Sequence, residues 1–129
     1  MEGKVRTVRT RYAEAEPYTT RDGSTIRELM HPAVHGNRNQ SLAEAEVPPG
    51  GHTLRHLHRL SEELYHVTAG EGVMHLGRDT FPVALGDTGL IPPGTPHWIE
   101  NTGDGPLRIL CCCAPAYAHE DTELLGEDR

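Results

Sequence analysis

Two histidines one residue apart, His56 and His58, open the chemistry of this chain. On a strand, positions i and i+2 share a face, so both imidazoles project together and offer two nitrogens to one metal ion. Glu63 starts the next run, where antiparallel pairing brings its carboxylate back beside the rings. His97 follows Pro92-Pro93-Gly94-Thr95-Pro96, a corner whose three prolines restrict the backbone and fix where the ring points. Three neutral imidazoles and one carboxylate suit a divalent first-row transition ion; a six-coordinate ion would keep two positions open for water, dioxygen or a chelating substrate. Tyr65 has the parity of Glu63, which places its hydroxyl within reach of a metal-bound substrate as acid or hydrogen-bond donor.

Short β-type runs separated by turn residues must position these groups. Ser24–Met30 and Asn39–Val47 come first, and Pro48-Pro49-Gly50-Gly51 then turns the chain into His52–His58. Glu63–Ala69, Val73–Leu76, Thr80–Ala84, Thr88–Ile91, His97–Asn101 and Leu107–Cys113 follow, each bounded by Gly, Pro or Asp. Short strands at even spacing predict an all-β sandwich, barrel or jelly roll. Only Asp121–Leu125 reads as a helical turn. Gly50, Gly70, Gly86 and Gly94 are assigned to turn geometry, and Asn101 to tying a turn through its side chain.

The stretch Gly50, five residues, His56-Leu57-His58, four residues, Glu63, six residues, Gly70 resembles the first signature of the cupins. Gly86, five residues, Pro92-Pro93-Gly94, two residues, His97, three residues, Asn101 resembles the second, and fifteen residues separate the two. Every defined position of both motifs is filled. The resemblance implies a double-stranded β-helix, or jelly-roll barrel, over 24–116, with a short N-terminal arm over 1–23 and a short acidic tail over 117–129. It also implies His56, His58, Glu63 and His97 as ligands of one divalent ion, whether Fe, Mn, Ni, Co, Cu or Zn. The ending Cys113–Thr122 resembles the tail of small single-domain bacterial cupins. Among cupin activities, three His and one Glu favour a dioxygenase-type enzyme acting on a small oxygen-rich substrate, with Glu63 and Tyr65 as catalytic groups. A non-redox cyclase, isomerase or decarboxylase is the alternative, and a non-catalytic small-molecule binder a third reading.

Composition bounds the rest. A chain of 129 residues and 14.2 kDa holds one domain. Lys+Arg 12 against Asp+Glu 19 gives a formal charge of −7, which argues against nucleic acid and anionic membrane as partners. No window is long and apolar enough to span a bilayer, and charges occupy the N-terminus where a signal peptide is apolar. Cys111, Cys112 and Cys113 are adjacent, so disulfide geometry is denied to neighbours; reduced thiols and a cytoplasmic location follow. Cys111 and Cys113 share one strand face and Cys112 takes the other, a pattern that fits small core residues. Trp98 alternates with His97 and points away from it. His52 is expected to be exposed; His31, His35, His66, His75 and His119 receive no ligand role. Basic Lys4, Arg6, Arg9 and Arg11 near one end and acidic Glu120, Asp121, Glu123, Glu127 and Asp128 near the other suit pairing within one chain or between two. A homodimer is expected, with the basic arm adding a strand to a neighbour.

Overall fold

A computed structural model describes residues 5–126. The first four residues of the arm and the last three of the acidic tail lie outside the described residues. Among the described residues eleven strands run in chain order: β1 (Tyr18–Thr19), β2 (Thr25–Met30), β3 (Ser41–Val47), β4 (His56–His58), β5 (Glu62–Ala69), β6 (Glu71–Leu76), β7 (Asp79–Ala84), β8 (Thr88–Ile91), β9 (His97–Asn101), β10 (Leu107–Ala114) and β11 (Thr122–Leu124). They form two antiparallel sheets, ordered β1-β2-β3-β10-β5-β8 and β11-β4-β9-β6-β7. The jelly-roll expectation is met. One four-residue helix, α1 (Pro32–His35), links β2 to β3. Among the described residues no helix is long and apolar enough to cross a membrane.

Period-two alternation decides what faces inward. In β5, Glu63, Tyr65 and Val67 are buried between exposed neighbours, and in β10 Leu107, Ile109, Cys111 and Cys113 are buried. Tyr65, Val67, Leu107, Ile109 and Cys111, with Ala45, Val47, Met74, Ile91 and Ile99, make the core between the sheets. Pro82 interrupts no ladder because β7 lies at a sheet edge. Gly70 turns β5 into β6 at φ 85°, and a Cβ there would stand 2.5 Å from Pro106 O, so both backbone shape and space demand glycine. Strand β6 starts at Glu71, two residues ahead of the expected run Val73–Leu76, so Gly70 alone completes the turn.

Three segments depart from the sequence reading. The expected strand His52–His58 shortens to β4, because Thr53 N donates to Ile99 O, Leu54 N to Asp22 O and Ile99 N to Thr53 Oγ1. His52 keeps only an isolated bridge to Glu100. Asp121–Leu125 is not a helical turn: a 3-10 turn closes at Asp121, and β11 pairs antiparallel with β4, Thr122 opposite His58 and Leu124 opposite His56. In the arm, β1 pairs with the chain's own β2, Tyr18 opposite Ile26. Tyr12 donates to Glu44 at 2.6 Å, and Thr10 Oγ1 to Leu29 O at 2.7 Å, so the described arm lies along its own sheet. Arg21 donates to the carbonyls of His119 and Thr122. Thr20 Oγ1 also meets Tyr117 OH, and among the described residues no ion pair joins the two ends.

Candidate metal centre

Strands β4 and β9 bring the imidazoles together. His56 and His97 are antiparallel partners with ring centroids 4.2 Å apart, and His58 lies two positions further along the same face. Gly94 N donates to His58 O at 2.7 Å, which ties the proline corner to β4 and so sets His97 against His58. The ligand-capable nitrogens of His56, His58 and His97 lie within 4.8 Å of one another, and all three residues are buried. Glu63 arrives from β5 in the facing sheet, its Oε1 3.2 Å from His58 Nε2 and 3.7 Å from His97 Nε2.

The outward ring nitrogens are all committed. His56 Nδ1–H donates to Leu54 O at 2.7 Å, and His97 Nδ1–H to Thr95 O at 2.9 Å. His58 Nδ1 lies 3.0 Å from Thr122 Oγ1, whose single hydrogen goes to Ala118 O at 3.0 Å. The Thr122 hydroxyl must therefore accept from His58 Nδ1–H. In the neutral rings the three Nε2 lone pairs then point inward, the tautomer that histidine ligands adopt when an outer partner holds Nδ1–H. Glu63 Oε1 and His97 Nε2 are buried with no hydrogen-bond partner. Two acceptors facing each other without a hydrogen is an arrangement that a shared cation relieves.

Charge tuning agrees. Burial, with repulsion from His97, lowers His56 to about 4, so its ring is neutral near pH 7. Burial pushes the Glu63 carboxyl up, but the adjoining imidazoles of His58 and His97 outweigh it and hold Glu63 at about 2. A carboxylate beside nitrogen lone pairs is a mixed N/O donor set for a divalent transition ion. Tyr65 is 8% exposed, lines the same cavity and sits 6.0 Å ring to ring from His97. Burial, then the Glu63 charge, raises its phenol well above the ordinary value, so it stays a donor. Burial likewise raises Cys111 and Cys113, which stay thiols among the inward residues, while Cys112 faces out.

Three contributors escaped the sequence reading. Asp22, in the turn before β2, places Oδ2 3.7 Å from His56 Nε2. Thr122 holds His58. Asp121 accepts from Leu60 N and Ser61 N at 2.8 and 3.1 Å, fixing the turn that delivers Glu63. Turn-forming aspartates and a lone threonine carry no spacing signal; only long-range pairing shows their work. Three placements agree with the sequence reading: Asn101 donates to Val47 O and Gly105 O and accepts from Gly103 N, Trp98 faces away from His97 and stacks on His75, and His52 is exposed.

Two facing antiparallel sheets around a buried three-imidazole cluster define a β-barrel protein with a site able to hold a metal ion. The chain belongs to the cupin family: the cupin domain matches residues 43–113. It is 54% identical over 118 residues to the uncharacterized protein MJ1618 of Methanocaldococcus jannaschii, covering 92% of this chain and 94% of that one. An oxalate-binding protein of Thermotoga maritima is 35% identical over 82 residues, 64% of this chain and 67% of that one. Among solved structures, a predicted oxalate decarboxylase from Thermotoga maritima superposes with a TM-score of 0.73 at 27% identity, covering 82% of this chain and 97% of that one.

Proposed function

We propose that this cupin is a metal-dependent enzyme acting on a small organic molecule. His56, His58, Glu63 and His97 hold one divalent ion, and Tyr65 donates a proton or hydrogen bond to the bound molecule. The observation that carries this reading is the pair of unpartnered buried acceptors, Glu63 Oε1 and His97 Nε2, 3.7 Å apart, with Glu63 lining a cavity. When bound, the ion supplies Lewis acidity to a substrate oxygen.

Non-redox chemistry of the lyase, cyclase or isomerase kind is favoured over the dioxygenase type. The similar Thermotoga structure, described as a predicted oxalate decarboxylase, supports it. The dioxygenase reading rests on the donor set alone. The cavity measures about 50 Å³, a few water molecules' worth by that measure, which suits a small substrate. Asp22 and Glu28 line it with Glu63, and among the described residues no Lys or Arg does. Beyond its metal-binding end the substrate is therefore neutral or cationic, since a second carboxylate would meet like charge.

For assembly, a homodimer in the cytoplasm remains the proposal, supported by Leu64 and Leu90, 41% and 50% exposed on neighbouring β5 and β8 at the edge of the larger sheet. Elemental analysis of purified protein tests the metal: about one equivalent of a divalent transition ion is expected, and metal-free protein indifferent to chelator would refute the site. An oxygen electrode tests the class, since turnover without oxygen uptake is expected. Tight binding of a ligand that is never altered would instead favour the plain binding module.

A further inference from the structure

We propose that Asp22 is a second carboxylate donor to the ion, supplied by the N-terminal turn. This rests on the metal reading above and adds a residue outside both histidine-bearing strands. The turn Arg21-Asp22-Gly23-Ser24 lies between β1 and β2 and is tied down at several points. Gly23 takes φ 93°, a left-handed conformation that glycine adopts without strain. Thr20 N donates to Ser24 O, Gly23 N to Thr20 O, and Leu54 N, just ahead of β4, to Asp22 O at 2.7 Å. The backbone of Asp22 is thereby fixed to the segment that delivers His56.

The side chain is held as firmly. Ser24 N and Ser24 Oγ both donate to Oδ1, at 3.0 and 2.6 Å. Oδ1 is committed, and Oδ2 is the oxygen facing His56 Nε2 at 3.7 Å. His56 gives its Nδ1–H to Leu54 O, so Nε2 is the ring nitrogen that faces this carboxylate oxygen. Glu63 Oε1 and His97 Nε2 stand at the same separation, 3.7 Å, so one cation at the cluster would engage both carboxylates. Adjacent donors about 2.0–2.2 Å from a six-coordinate ion stand roughly 3 Å apart, so each gap must close by about 0.7 Å. The Asp22 side chain is 13% exposed and lines the cavity, which suits a ligand better than a solvated surface charge.

Three imidazoles and two carboxylate oxygens neutralise a divalent ion and suit a six-coordinate metal such as Mn(II) or Fe(II). One exchangeable position then remains instead of two. The substrate class narrows accordingly, to molecules that engage the ion through a single oxygen.

The test uses full-length protein loaded with Mn(II). Chelator competition is expected to show Asp22→Asn and Asp22→Ala binding Mn(II) at least tenfold more weakly than wild type. Water-proton relaxivity per bound Mn(II) is expected to rise in Asp22→Ala as water takes the vacated position, a change that a merely structural role would not produce. Wild-type affinity and relaxivity in both variants would overturn the assignment. Should the variants fail to fold, carbon-detected NMR of Co(II)-loaded wild type decides: Asp22 Cγ should shift on loading as Glu63 Cδ does, and an unmoved Asp22 beside a shifted Glu63 refutes it. Wild-type protein that takes up no metal fails the metal reading as a whole, and is told apart from failure of Asp22 alone because uptake is measured first.

Discussion

Two histidine–glutamate pairs in this barrel stand at similar distances and in opposite situations. On the outer face, His75 Nε2 meets Glu100 Oε2 at 2.8 Å, His75 Nδ1 lies 3.2 Å from Thr80 Oγ1, and the ring stacks on Trp98 with centroids 3.7 Å apart. Those side chains are 24% and 36% exposed, so water completes whatever the pair leaves open. Inside, His58 Nε2 stands 3.2 Å from Glu63 Oε1 with both side chains nearly sealed, and Nδ1–H is already given to Thr122. The outer pair is complete as it stands. The inner one has facing acceptors without a shared hydrogen. Burial and the committed outer nitrogen, not residue type, turn a histidine and a glutamate into a receptor for a cation.

Breaking the inner pair should have the largest effect. His58→Ala and Glu63→Ala are expected to lose most of the bound metal, read as equivalents per chain after purification, while His75→Ala keeps it. Full retention in His58→Ala, or equal loss in His75→Ala, would erase the distinction between the pairs.

A smaller loss is expected from the residue that holds the inner pair in register. Thr122→Val keeps the volume but leaves His58 Nδ1–H without its acceptor in a buried place. Metal affinity should fall about 10–100-fold, the usual cost of losing such an outer partner. A chelator titration gives the number, and an unchanged affinity would mean that β11 merely covers the barrel.

These contrasts also mark what the sequence could and could not reveal. His56, His58 and His97 were legible because period-two parity and a proline corner determine direction locally, and Gly70 because a tight turn has few solutions. Parity also separated Trp98 from His97 and Cys112 from its neighbours. Thr122–Leu124 was not legible as a strand, since three residues in an acidic tail lack any pattern and acquire one only against β4. Asp22 was hidden for the same reason: Asp-Gly-Ser reads as a turn, and its approach to His56 depends on pairing far along the chain. Thr53 shows the converse, a β-branched residue inside an expected strand whose backbone and hydroxyl bonds go to Ile99 from outside any ladder.

Acid should next mark the inner cluster, through His56. Burial lowers His56 from the ordinary 6.5 to about 4 in the folded chain. Below 6.5 the unfolded chain binds a proton at His56 that the folded chain refuses until about 4, so folding stability is full above that window and declines as pH falls through it. Chelator-treated protein should therefore melt progressively lower between pH 6.5 and pH 4, and His56→Asn should flatten that slope. A slope of equal steepness in the variant would remove His56 as its source.

The smallest effect belongs to the outer pair. Glu100→Gln leaves an amide oxygen to accept from His75 and leaves the ring stack on Trp98 in place, so only the charge is withdrawn. A part-exposed ion pair contributes under about 1 kcal/mol, and salt screens it. The melting temperature should move by no more than a few degrees, less at high salt, with metal content unchanged. A loss of metal in Glu100→Gln would mean that the outer face communicates with the inner cluster across β9, where Glu100 and His97 alternate sides, and the two pairs would have to be treated as one system.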